Sequence, residues 1–217
     1  MNIIPLHKVF ISYYHADDQD YKDSLLESNE VYKSLGRSIF KDYSVHEDEI
    51  DDTGKSDERI RQIIRDAYIR DAEVLVLLCG ENTAKRKHID WEIHAAMFNT
   101  DLNPKMGILV INLPTISQVS RAKTDVEKSI VSPNGSWTSY KTRKQYEDNF
   151  TYMPSRIIDN FESGISDSDI ISISVVDWSR IYNNPENMRT LIDIAYQRAN
   201  DNSRHYDHSV PLRRRNS

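Results

Sequence analysis

Val74-Leu75-Val76-Leu77-Leu78 is an unbroken run of five apolar residues. A strand with one wet face alternates apolar and polar side chains, whereas a parallel strand covered by helices on both faces is apolar throughout. This run therefore predicts the central strand of an α/β sheet. Upstream, Val9-Phe10-Ile11-Ser12-Tyr13 predicts a first strand. Tyr21, Leu25, Tyr32 and Leu35 then recur at helical spacing, and Gly36 is a suitable stop. Ser38-Ile39-Phe40 predicts a short second strand. Residues 57–70 predict a helix in which Ile60, Ile63, Ile64, Ala67 and Tyr68 share one stripe. Ser56 caps it, and Asp57 and Glu58 suit the positive end of its dipole. Downstream, Met106-Gly107-Ile108-Leu109-Val110-Ile111 predicts strand four. This alternation argues for a flavodoxin-like layout, a parallel sheet with helices on both faces.

Beyond residue 113 the pattern weakens. Residues 114–165 are polar and hold Pro114, Pro133-Asn134-Gly135 and Pro154. So long a loop is unusual in a compact domain, so elements are expected there that periodicity does not disclose. Ile170-Ile171-Ser172-Ile173-Ser174-Val175-Val176 predicts a last strand, and Asn184-Pro185 opens a closing helix bearing Met188, Leu191, Ile192, Ala195 and Ala199. Residues 201–217 read as a disordered tail.

Composition bounds the function. The 217 residues carry a net charge of −6, 38% are apolar, and mean hydropathy is −0.65. No run approaches the ~20 apolar residues of a membrane span. Met1-Asn2-Ile3-Ile4-Pro5 lacks the features of a signal peptide. The basic cluster Arg213-Arg214-Arg215 is a poor nucleic-acid footprint on an acidic chain. The single cysteine, Cys79, excludes an intrachain disulfide and suits a reducing cytoplasm. None of the six glycines forms a dinucleotide-binding or phosphate-binding loop. Seven carboxylates crowd residues 46–58, but the spacing fails an EF-hand because Ile60 falls at loop position twelve. No metal site is predicted. Residues 43–55 are expected to be a mobile loop that gates the site or contacts a neighbouring protomer.

A candidate site follows from the fold rule that ligands bind outside the carboxyl ends of the strands, at the switch in strand order. Strand one ends in Ser12, Tyr13, Tyr14 and His15, and strand three leads through Gly80 and Thr83 to His88, Trp91 and Glu92. Ile89, Ile93, Ala96 and Met97 mark an apolar stripe, and Glu92 lies roughly 80° from its centre. A carboxylate at that edge has a structural partner, such as His88, Lys85 or Lys87, or does chemistry. The rings of Tyr13, Tyr14 and Trp91 either stack on a ligand or pack at the strand ends.

These residues resemble a known family. Val9-Phe10-Ile11-Ser12-Tyr13 with Asp17-Asp18 resembles the opening motif of TIR domains. The polar loop after strand two is similar in place to their BB loop, and Gly80-Glu81-Asn82-Thr83 running on to Trp91-Glu92-Ile93 resembles the stretch with the catalytic glutamate. The likeness is to the TIR-like proteins of the bacterial Thoeris antiphage system, over a core of residues 8–112 within a domain of residues 1–200, the region 113–200 being elaborated. The resemblance implies cleavage of NAD⁺ as substrate, with no cofactor and with Glu92 in the catalytic position. Ser12, Tyr13, Tyr14, His15, Thr83, His88 and Trp91 are then the expected substrate-binding residues. It further implies a cyclic ADP-ribose-type signal that switches on a separate effector protein, and self-association on activation. His88 stands where many relatives carry an aromatic, which bears on pocket shape.

The chemistry agrees with this. Nicotinamide leaves NAD⁺ as a neutral molecule, so the second carboxylate that an ordinary glycosidase uses as an acid is not required. The aromatic-rich segment 137–152 is expected to fold the cleaved ADP-ribose back on itself and exclude water. Two other readings stay open: a TIR-like interaction module without catalysis, and a nucleoside deoxyribosyltransferase-like enzyme with a glutamate nucleophile.

Overall fold

The computed structural model describes residues 4–44, 53–69, 71–100 and 103–216. Five parallel strands form one sheet in the order β2-β1-β3-β4-β5. They are β1 (Lys8–Ser12), β2 (Lys41–Asp42), β3 (Val74–Cys79), β4 (Gly107–Asn112) and β5 (Ser174–Asp177). Strand order reverses between β1 and β3, where Val9 pairs with Val74 and Ser12 with Leu77. All six residues of β3 are buried, as its unbroken apolar run requires.

Alternation along the strands builds two cores. Phe10, Leu75, Leu77 and Cys79 face one side, where α2 (Asp57–Ile63), α3 (Lys87–Met97) and α6 (Ser155–Ser166) pack. Val9, Ile11, Val74, Val76 and Leu78 face the other, against α1 (His15–Ser34) and α8 (Pro185–Ala199). The short α7 (Trp178–Ile181) joins β5 to α8. The backbone of α8 runs so close to β4 that a methyl group on Gly107 would meet the Ala195 carbonyl carbon at 2.5 Å. Gly36 closes α1 with φ +72°, a conformation that L side chains resist.

Several expectations shift. The second strand falls at Lys41–Asp42 instead of Ser38-Ile39-Phe40, because Asn29 of α1 occupies the earlier backbone: its side-chain oxygen accepts from the amides of Ile39 and Phe40, at 2.9 and 3.3 Å. The helix begun at Asp57 passes at Ile64–Tyr68 into a π-helical turn. Residues 114–165 do hold hidden elements, namely α4 (Asp125–Val131), α5 (Arg143–Asn149) and α6. Thr124 and Glu127 form a capping box at the start of α4. Buried Glu127 also accepts from Ser174 of β5 and Arg198 of α8. Three aromatics of segment 137–152 are committed to packing, since Tyr140, Tyr146 and Phe150 lie edge to face or tilted on one another and on Phe161, whereas Trp137 stays exposed. The acidic loop expected over residues 43–55 lies largely outside the described residues.

The tail is the largest correction. Residues 204–216 form an ordered strap across α3 and α6. Tyr206 and Leu212 are buried in the core on that side, and the Tyr206 hydroxyl donates to the Met106 carbonyl at 3.0 Å. Arg156 of α6, 2% exposed, holds Asp90 of α3 with two hydrogen bonds of 2.8 and 3.0 Å. The same guanidinium donates to the carbonyls of Val210 and Pro211. A polar sequence concealed this order because main-chain bonds to buried side chains, and only a few apolar anchors, hold the strap.

Candidate functional site

Glu92 sits on the second turn of α3, directly outside the carboxyl end of β1. Strand alternation turns Ser12 toward the α3 side of the sheet, and its hydroxyl donates to Glu92 Oε2 at 2.5 Å. Glu92 is more deeply set than the edge of an amphipathic stripe implies: it is 4% exposed, and every residue from Ile89 to Met97 is buried. The strap and α6 cover the face of α3 that an ordinary surface helix would leave wet. The site thus presents a buried carboxylate that accepts from the Ser12 hydroxyl, at the switch point between β1 and β3.

Around it the sequence candidates separate. Tyr13 points to the opposite side of the sheet, where it is buried. Its hydroxyl donates to Gln19 at 2.7 Å and contacts the His15 ring nitrogen at 2.9 Å. His15 itself is exposed. Trp91 is fully buried and its indole nitrogen donates to the Arg213 carbonyl of the strap at 2.6 Å, so it offers no free face. His88 lies against it, ring centroids 4.9 Å apart. Thr83, also buried, holds the loop: its hydroxyl accepts from the Gly80 amide at 2.8 Å and lies 3.3 Å from Asp18. Tyr14 is half-buried, with the Arg86 guanidinium 3.8 Å from its ring centre.

Two residues that the sequence reasoning did not select complete the crevice. Arg86 stands at the N-cap of α3, and its Nε is buried without a hydrogen-bond partner. A basic residue among Lys85, Arg86 and Lys87 carried no signal that set it apart. Asp18, in the first turn of α1, is 1% exposed and packs against Gly80 so closely that a methyl group there would lie 2.4 Å from Asp18 Oδ1. That oxygen has no hydrogen-bond partner either. In the sequence it stands only as part of the Asp17-Asp18 motif; Asp17 in turn accepts from Asn82 at 2.7 Å and ties α1 to the same loop. The Cys79 thiol, pushed up to about 12 by burial, donates to the Tyr152 carbonyl at 3.2 Å and is not a nucleophile.

Burial pushes the Asp18 carboxyl from 3.8 up to about 6; the Thr83 hydrogen bond opposes this and the Asp17 charge adds to it. At this group the folded state therefore keeps a proton between about pH 4 and pH 6 that the unfolded chain has lost, and its contribution to stability falls as pH rises through that window. Asp18→Asn, which cannot ionise, is expected to flatten that slope and to add on the order of 2–3 kcal/mol at pH 7. Urea midpoints at about pH 4, 6 and 8 check this, and a parent-like pH slope in the variant contradicts it.

Comparison with known families adds one match: a model described as the TIR-like domain of Thoeris protein ThsB matches residues 10–118, half of the chain. No curated protein matches. The matched span runs from β1 past the end of β4, and so contains Ser12, Asp18, Gly80, Arg86 and Glu92 together.

Proposed function

Because the chain belongs to the Thoeris ThsB TIR-like domain family, we propose that it cleaves the glycosidic bond of NAD⁺ and converts the ADP-ribosyl group into a diffusible signal. The observation that carries this reading is Glu92, a buried carboxylate held by Ser12 at the strand-order switch. As the bond between ribose C1′ and the nicotinamide nitrogen breaks, its electron pair leaves with neutral nicotinamide and positive charge grows on the ribose. A carboxylate fixed beforehand stabilises that charge without reorganising. Held by Ser12, the Glu92 carboxylate faces the position that the ribose would take. Arg86, with its buried unpartnered nitrogen, supplies a cation for the pyrophosphate, and the accessible side of Tyr14 offers a ring for stacking. An adenine nitrogen then attacks C1′ to give a cyclic product, or water attacks to give a linear one.

In this reading NAD⁺ is the substrate and no bound cofactor takes part. The signal reaches a separate effector protein, and self-association of the TIR-like domain raises activity. The site of action is the cytoplasm; among the described residues no helix is long and apolar enough to cross a membrane. The decisive experiment incubates concentrated protein with NAD⁺ and resolves nicotinamide, linear ADP-ribose and cyclic isomers by mass spectrometry. Nicotinamide with a cyclic product is expected. Linear product alone, with rapid loss of cellular NAD⁺ on expression, overturns the signalling reading. No nicotinamide under any self-associating condition leaves the non-catalytic interaction module.

A further inference from the structure

The outer edge of the sheet is open, and the opening lies inside a basic cleft. Arg121 and Val175 exchange both backbone hydrogen bonds, Arg121 N to Val175 O at 2.9 Å and Val175 N to Arg121 O at 2.8 Å, as an antiparallel bridge. Segment 118–123 thus runs beside β5 as a rudimentary sixth strand. In such a hydrogen-bonded pair, the residues on either side turn their N–H and C=O groups the other way. Those residues are Ser120 and Ala122. Both are half-buried, and among the described residues no hydrogen bond engages their peptide groups. Unpaired strand edges of this kind are a template for a further strand.

The edge opens into a cleft of about 890 Å³ that Ser120 and Ala122 both line. Arg121 is not free for a ligand, since its guanidinium donates to Ser172 and the Ile173 carbonyl and stacks 4.3 Å from the Phe161 ring centre. Lys123, Lys128 and Lys141 line the same cleft, whose acidic lining residues are Asp167 and Asp177; Lys128 also meets exposed Asp125 at 3.5 Å, a pair that an incoming carboxylate would have to displace or share. On a chain of net charge −6 this is a local reversal of sign. Partial burial, and then the positive charges of Arg204, Arg198 and Arg121, lower the pKa of the Lys123 ammonium. An incoming carboxylate relieves that repulsion. Trp137, 37% exposed, stands at the cleft as an apolar contact.

We infer that this cleft is a docking site for an extended acidic segment of a partner protein, which adds a strand to the Ser120–Ala122 edge and sets its carboxylates on the lysines. Main-chain pairing supplies affinity and the lysines supply selectivity, as in other strand-addition interfaces. The site lies outside the β1–β3 crevice and does not depend on NAD⁺ chemistry.

The test uses the full chain without NAD⁺ and a fluorescein-labelled octapeptide of alternating Glu and Val, followed by anisotropy and by Trp137 emission against a Trp137→Phe control. Saturable binding is expected, weakened at least tenfold by Lys123→Glu with Lys128→Glu. Exposed Lys141→Glu, a change that spares the fold, is expected to weaken it severalfold. Methylating alternate peptide nitrogens is expected to abolish binding for one set and spare it for the other. Equal binding of the Lys–Val counterpart, indifference to both methylation patterns, displacement by inorganic phosphate or ADP-ribose, or no binding at all would overturn the inference. None of these outcomes bears on nicotinamide release.

Discussion

Glu92→Gln is expected to melt at or above the temperature of the parent and to release nicotinamide from NAD⁺ more slowly by on the order of 10²–10³-fold or more. The two halves of this expectation have separate physical origins. Glu92 is 4% exposed, so the parent buries a carboxylate, which accepts from the Ser12 hydroxyl. A neutral amide of the same shape costs less to bury and still offers Ser12 an acceptor oxygen. The rate falls because only the charged group answers the positive charge growing on the ribose. Calorimetry and nicotinamide release on the same preparation check both halves. A variant that melts like the parent and turns over NAD⁺ at the parent's rate would remove Glu92 from the mechanism.

Arg156→Met is expected to cost about 3–5 kcal/mol, the range for removing one member of a buried ion pair. Met fills much of the space, so the loss is chiefly electrostatic. Asp90, 6% exposed, would keep its charge and its bond from the Arg213 amide while losing both guanidinium contacts. The Val210 and Pro211 carbonyls would lose their donor as well. Adding Asp90→Asn to Arg156→Met is expected to recover part of the loss, because the stranded charge is then gone. Urea denaturation of the two single variants and the double variant measures it. A cost below about 1 kcal/mol for Arg156→Met would show that the strap is fastened elsewhere.

The sheet was legible because β3 is apolar along its whole length and β4 from Ile108 to Ile111, the pattern of a doubly covered parallel strand. The order of elements alone puts Ser12 and Glu92 at one switch point. What escaped has a common cause. Periodicity measures how apolar a face is, and α3 is buried as much by polar contacts as by apolar ones: Asp90 on Arg156, Trp91 on the Arg213 carbonyl, Glu92 on Ser12. Glu92 therefore looked half-wet and is buried. The strap looked disordered because its bonds run through backbone groups that every sequence possesses. Trp91 and Tyr13 were natural choices as stacking rings, yet one lies under the strap and the other beyond the sheet. Asp18 stood out only as part of the Asp17-Asp18 motif, because its effect depends on its distance from Gly80.

The strap also sets a schedule. Trp91 and Arg213 are bonded across 122 positions of chain, so on a ribosome α3 is made long before the residues that cover it. Until they arrive, Asp90 and the indole nitrogen of Trp91 lack these partners and the helix under Glu92 is unclamped. Contacts that close over so long a separation form late in folding. Glu92 is therefore expected to reach its folded position only after synthesis has passed the strap, so that on the proposed reading any NAD⁺ cleavage waits for the residues that clamp α3.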